Sequence, residues 1–316
     1  MIKIEKIFGH EIQKEILNKK FNSYNSDTWM FYGEKNIGKF NFAKNFIIEN
    51  LAKKLFNTEK EIFTLTSNEL KDINKNLLSC YFHLNEHENV SIDEIRKLFS
   101  QLELTNFSEK IPKYIVIDNF ETININSKNA LLKTLEEPPE KVFIFLICHN
   151  IFEVPKTITS RCKKIEFKSL SSSDFEIFLK HNLFDFEHLN NKRTIDYINN
   201  KPGIFKLLQK YNFQENIILM EKIIKNDEIN YLDIQKLIDN FSDNLSLLIL
   251  ILKNFLYKRT KSNFVEKFGD ITNCEKMFNF FDNIKSNLNE SLNINKNQYI
   301  LSIFVNYFKN IKSKNE

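Results

Sequence analysis

Apolar residues form three short continuous runs in the first half of the chain and helical stripes in most of the rest. Trp29 to Tyr32, Tyr114 to Asp118 and Val142 to Cys148 have the length and continuity of strands buried on both faces, the pattern of a central parallel sheet. The second run ends in a carboxylate, so its strand delivers Asp118 to a sheet edge. Tyr81 to Leu84 reads as a further strand, and Lys163 to Phe167 as a last one at an edge. Between them, Ala43, Phe46, Ile47, Leu51 and Leu55 recur at helical spacing. Leu131, Leu132 and Leu135 stripe another helix, which Asn126 or Ser127 is expected to cap. Pro138 and Pro139 end it, because the residue before a proline is pushed out of the α region. Ser91 to Glu94 is an S-x-x-E capping box opening a helix with Ile92, Ile95, Leu98, Phe99 and Leu102 on one face. Ile2 to Asn22 reads as an amphipathic helix introduced by Phe8, Gly9 and His10. Asn57 to Ser79 shows no clear period.

From Leu170 onward strand-like runs vanish. Helices are expected from Ser171–Ser173 to about Asn182, from Arg193 to Asn199, and from Pro202–Gly203 to Gln209. Beyond them the pattern gives Phe213 to Ile224, Tyr231 to Phe241, Asn244 to Arg259, Cys274 to Asn287 and Asn295 to Ile311. Leu247, Leu248, Leu250, Ile251 and Phe255, with Phe278, Phe280, Phe281, Phe304 and Phe308, exceed one narrow stripe and suit the core of a bundle. With 316 residues, two or three domains are expected.

The first run leads straight into GEKNIGKF, Gly33 to Phe40, and then into a helix. Strand, glycine loop and helix is the context of a phosphate-binding loop. There the glycines let backbone amides turn onto phosphate oxygens, the lysine meets the β and γ phosphates, and a Ser or Thr hydroxyl binds magnesium. Gly33, Gly38 and Lys39 meet the first two demands. Phe40 fails the third, since a phenyl ring has no oxygen to give a metal.

Composition narrows the choice further. A hydrophobic content of 42% fits ordinary globular folding, and a net charge of +4 is only mildly basic. No basic or aromatic cluster rises above the background lysines, and no Ser, His and Asp arrangement or carboxylate pair suggests another enzyme. The N-terminus interleaves charges with apolar residues, unlike a signal peptide. Leu245 to Leu252 is far short of the roughly 20 apolar residues of a membrane-spanning helix. Four scattered cysteines give no disulfide framework and suit a reducing cytoplasm. Cys80, His83 and His87 stand at C-x2-H-x3-H, one ligand short of a structural zinc site. Cys80 and His83 would also face opposite ways on a strand, so no metal is expected.

NALLKTLEEPP from Asn129 to Pro139, followed across a strand by TSRC from Thr159 to Cys162, resembles the clamp-loader branch of the AAA+ ATPases. Within that branch it is most similar to the delta-prime family of bacterial DNA polymerase III. The resemblance runs from about Phe8 to Leu170, with a weaker echo in SLNINKNQYILSIF near the C-terminus. It implies an α/β plus all-α chain. An AAA+ parallel-sheet domain would occupy residues 1–168, a three-helix lid 169–212, and a C-terminal helical collar 213–316. Gly33, Gly38, Lys39 and Asp118 would then be remnants of a nucleotide pocket. An active AAA+ site follows the aspartate with a glutamate that polarises water, and here Asn119 stands in that place and cannot act as a base. Glu121 is the alternative, lying off the strand end. The lid's sensor arginine is replaced by Ile204 or Phe205, and the four-cysteine zinc module common in the family is missing. Arg161, with Ser160 beside it, would be an arginine finger reaching the ATP site of a neighbouring subunit. The implied role is a non-catalytic cytoplasmic subunit of the clamp loader that requires no cofactor and is not expected to bind ATP. Its partners would be the ATPase motor and delta subunits, the sliding clamp indirectly, and primed DNA within the complex, with no membrane. The alternative is an active AAA+ motor subunit.

Overall fold

The computed structural model describes residues 6–20, 26–56, 65–84, 91–104, 111–182, 198–226, 228–266 and 295–309. Two compact units divide the chain, Met1–Phe178 and Leu179–Glu316.

In the first unit, helix α1 (Glu11–Lys20) precedes strand β1 (Asp27–Tyr32), α2 (Lys39–Phe56), α3 (Ser67–Cys80) and β2 (Tyr81–Leu84). Next come α4 (Ile92–Leu104), β3 (Lys113–Ile117), α5 (Ile125–Glu136), β4 (Val142–Cys148), the single-turn α6 (Lys156–Thr159), β5 (Lys163–Glu166) and α7 (Ser172–Asn182), whose last four residues belong to the second unit. The strands form one sheet in the order β2-β3-β4-β1-β5. Every pair is parallel, with Trp29 opposite Phe145 and Lys163, and Ile115 opposite Phe82 and Ile144. This is the AAA+ sheet that the resemblance implied. Parallel strands joined by helices place all five C-terminal ends on one edge, where ligand sites of open α/β sheets form.

The continuous apolar runs follow from burial on both faces. Phe143, Phe145 and Ile147 join Trp29, Phe31, Tyr114 and Val116 in a core shared with Leu17 of α1, with α2 and with α3. The alternate residues Val142, Ile144, Leu146 and Cys148 join Met30, Ile115 and Ile117 against α4, α5 and Ile158 of α6. All seven residues of β4 are buried.

Several helix limits differ from the pattern's expectation. Only Glu11–Lys20 of the expected Ile2–Asn22 helix is helical among the described residues, because Gly9 and His10 stand at φ +66° and +64° and break it. Asn124, rather than Asn126 or Ser127, caps α5, its side-chain oxygen accepting the Ser127 amide at 2.8 Å. The stretch without clear period contains α3, opened by a capping box in which Thr66 accepts from the Glu69 amide and Glu69 accepts from the Thr66 amide. Cys80 closes α3 and so shares no strand with His83; His87 lies outside the described residues. The expected Ser91–Glu94 box is formed, with the Ser91 amide donating to Glu94 at 2.8 Å.

In the second unit Pro202 occupies the first turn of α8 (Pro202–Leu208), followed by α9 (Phe213–Lys225), α10 (Tyr231–Asn240), α11 (Leu245–Glu266) and α12 (Lys296–Tyr307). The expected helix ending at Arg259 runs on to Glu266, and Asn295 caps the last one. Ile223, Leu237, Leu248, Ile251, Phe255, Ile303 and Phe304 are buried. Asn216 is buried too and bridges the unit, donating to the Tyr211 carbonyl at 2.5 Å and accepting from Asn240 at 2.7 Å. The expected helices Arg193–Asn199, but for Ile198 and Asn199, and Cys274–Asn287 lie outside the described residues, as do Phe278, Phe280 and Phe281. No helix among the described residues is long and apolar enough to cross a membrane.

Candidate nucleotide pocket and arginine turn

Chain direction alone brings the Gly33–Phe40 loop, Asp118 and the residue after Cys148 to the same edge, since each follows the C-terminal end of a neighbouring parallel strand. The loop is fixed by left-handed backbone at Gly33 (φ +141°), Asn36 (+68°) and Gly38 (+100°). His10 ties it from outside. Its Nε2 lies 3.0 Å from the Ile37 carbonyl, which only accepts, so Nε2 carries the proton. His10 also packs edge-on against Phe167 and Phe42.

Lys39 is 3% exposed and turns back on its own loop, donating to the Gly33 carbonyl at 2.7 Å and the Glu34 carbonyl at 2.6 Å. Burial pulls its ammonium down to about 8, against the opposing pull of Asp118 and Glu121. Phe40 lies with its ring 4.5 Å from that of His83 on β2. An aromatic pair therefore occupies the position after the lysine where a metal-binding hydroxyl would stand.

Asp118 is half-buried behind β3. Its Oδ1 accepts the Asn119 amide at 2.8 Å, and burial raises its pKa against the pull of that bond, of His83 and of Lys39. Asn119 sits in left-handed backbone at φ +46° and caps the turn Phe120–Thr122. That turn brings Glu121 back over the strand ends, so its facing is settled. Its Oε2 accepts the His149 amide at 3.1 Å, and its carbonyl accepts the buried Lys128 ammonium at 2.7 Å. His149 went unremarked in the sequence, although it directly follows a buried parallel strand, which was signal enough to place it here. Its Nδ1 is buried and has no partner among the described residues. Burial, then Lys39 and Lys35, push the imidazole down to about 3.

A pH dependence follows. His149 is neutral in the folded chain, whereas an unfolded histidine takes a proton near 6.5. As pH falls below that value the unfolded state binds more protons, so stability is lost progressively between 6.5 and about 3. His10, lowered by burial, adds in the same direction. Replacing His149 by Gln is expected to flatten the acid-side slope by as much as about 1.4 kcal/mol per pH unit, the effect of one proton. Denaturant titrations above and below the histidine range measure it; an unaltered slope would mean that the ring is solvated.

At the far end of the motif region Pro155 opens α6, and the turn after it carries Ser160, Arg161 and Cys162. Ile158 and Cys162 point inward and are buried, with the Cys162 thiol donating to the Ile158 carbonyl at 3.2 Å. Arg161 and Ser160 are left outside. The Ser160 hydroxyl donates to the Thr157 carbonyl at 3.2 Å. The Arg161 guanidinium pairs with Glu136, the last residue of α5, its Nε standing 2.7 Å from Oε1. Thus Gly33, Gly38, Lys39 and Asp118 come together with Glu121 and His149, while Ser160 and Arg161 form a separate outward turn. Ile204 and Phe205 are buried apolar residues of the second unit. Among the described residues no group of three or more His, Cys, Asp or Glu is placed to hold a metal.

Sheet order, glycine loop and strand-end aspartate define the class, an AAA+-type α/β domain whose loop carries Phe where a hydroxyl would bind metal. The chain belongs to the family described as DNA polymerase III, delta subunit, whose profile matches residues 9–171, just over half of it. It is 30% identical over 208 residues to DNA polymerase III subunit gamma of Buchnera aphidicola subsp. Schizaphis graminum, covering 62% of this chain and 54% of that one. Subunit gamma/tau of Mycoplasma genitalium is 26% identical over 329 aligned positions, 99% of this chain and 48% of that one. The chain therefore spans about half the length of these relatives. In structure it resembles a DNA polymerase III gamma subunit-related protein of Thermotoga maritima, with a TM-score of 0.50 over 95% of this chain and 98% of that one. At 16% identity this is a likeness of fold.

Proposed function

We propose that the chain is a delta-prime-type subunit of a DNA polymerase III clamp loader that turns over no nucleotide itself and lends Arg161 to the ATP site of a neighbouring subunit. The observation that carries the reading is Phe40, packed against His83 in an otherwise retained phosphate loop. The loop is held by contacts that need no ligand, and its lysine already has two carbonyl partners. Asn119 removes the base as Phe40 removes the metal ligand, so the two losses fall on different steps of one reaction. Membership of the polymerase III delta family and likeness to gamma and tau subunits support a place in the loader. Its partners there are the motor and delta subunits, through which it acts on the sliding clamp and primed DNA in the cytoplasm. No cofactor is required.

A second reading, an active motor subunit, is favoured by the relatives' being gamma and tau subunits. It requires Glu121 as the base, and that carboxylate already accepts the His149 amide. Calorimetry of the full chain with ATP, with and without magnesium, separates the two. The leading reading expects no tight binding and no gain from magnesium. Micromolar or tighter binding that magnesium strengthens would overturn it in favour of the motor.

A further inference from the structure

We infer that Glu136 is the residue that aims Arg161, an inference that rests on Arg161 acting in a neighbour's ATP site. The guanidinium is gripped from both sides. Nε and Nη2 both donate to the one oxygen Oε1 of Glu136, and Nη1 donates to the Thr157 carbonyl at 2.6 Å. Both anchors sit on backbone beside buried residues. Glu136 ends α5, whose Leu131 and Leu135 are buried in the core, and Thr157 precedes the fully buried Ile158.

Of the five N–H donors of a guanidinium three are thereby taken, leaving one on each terminal nitrogen. Each terminal nitrogen thus keeps a donor for phosphoryl oxygens. The Arg161 and Glu136 side chains are 33% and 49% exposed, and an ion pair so open to water adds little to folding stability. Its consequence is geometric. It removes the rotamer freedom of a long side chain before any neighbour arrives, so the arginine need not be ordered in the transition state. Glu136 touches no phosphate and is a positioning residue.

The test uses the reconstituted loader containing the full chain, and reads the kcat and KM for ATP hydrolysis together with assembly and melting temperature. Glu136→Ala is expected to lower kcat by about 10-fold to 100-fold, in the range that a small misplacement of a reacting group costs, with KM and assembly unchanged. Glu136→Gln keeps a carbonyl oxygen for both donors and is expected to recover most of the rate. The Arg161→Ala/Glu136→Ala double variant is expected to be no slower than Arg161→Ala alone. If Arg161→Ala leaves hydrolysis untouched, the finger reading itself fails. If Arg161→Ala slows hydrolysis while Glu136→Ala leaves it unchanged or speeds it, the finger stands and the aiming role is overturned. A Glu136→Ala defect that follows lost assembly or melting, or that Gln does not relieve, also overturns it.

Discussion

Replacing Arg161 by Ala is expected to lower ATP hydrolysis by the neighbouring subunit by a factor of about 10³ to 10⁵, the range over which arginine fingers act. Charge grows on the γ-phosphoryl oxygens as the bond to the leaving group lengthens. A guanidinium answers it with permanent charge and a planar pair of donors. Lysine in its place keeps the charge and loses the fork, so Arg161→Lys is expected to recover only part of the loss. Folding is expected to be nearly indifferent, because the exposed pair with Glu136 contributes about 0–1 kcal/mol at most. The measurement is the hydrolysis rate per motor site in an intact assembly, with melting temperature alongside. An unchanged rate would assign Arg161 to the Glu136 ion pair alone, and a large drop in melting temperature would make the residue structural.

Gly33→Ala is expected to have the largest effect on stability of any change in the loop, well beyond Gly38→Ala. A methyl group at Gly33 would lie 2.0 Å from the Phe167 carbonyl oxygen, and its φ of +141° suits glycine alone. That carbonyl cannot withdraw cheaply, since the Phe167 amide donates to the Tyr32 carbonyl at 2.8 Å and so continues the ladder between β1 and β5. Backbone strain of about 1–3 kcal/mol and overpacking of about 1–3 kcal/mol add to about 2–6 kcal/mol. For a unit of this size that is a fall in melting temperature of roughly 4–24 °C. At Gly38 nothing lies within 4 Å of the added methyl, so only the strain at φ +100° remains. Equal losses for the two variants would contradict this. The contrast bears on function, because Gly33 is required by the sheet whether or not a phosphate ever enters the loop.

The sheet was legible because its strands are buried on both faces, which leaves unbroken apolar runs that no surface helix shares. The glycine loop between β1 and α2 was legible because glycine, lysine and strand context coincide within a few residues. Helix ends were less so. Asn124, Asn126 and Ser127 all suit a cap chemically, and only the approach of the chain from the Phe120–Thr122 turn selects Asn124. Helix α3 was missed although Thr66 and Glu69 spell its capping box, because its buried positions Ile73, Leu77 and Cys80 are few among polar neighbours. The facing of Glu121 depends on three dimensions, since the left-handed residue at Asn119 returns it to the site, whereas the place of His149 follows from the parallel sense of β4 beside β3. The partner of Arg161, Glu136, is set by the C-terminal turn of α5.

The most direct measurement counts nucleotide in the intact loader, saturated with magnesium and a non-hydrolysable ATP analogue, against the number of AAA+ chains it contains. One nucleotide fewer is expected for each copy of this chain, its loop remaining empty beside Phe40 and Asn119. One nucleotide for every AAA+ chain, this one included, would contradict it.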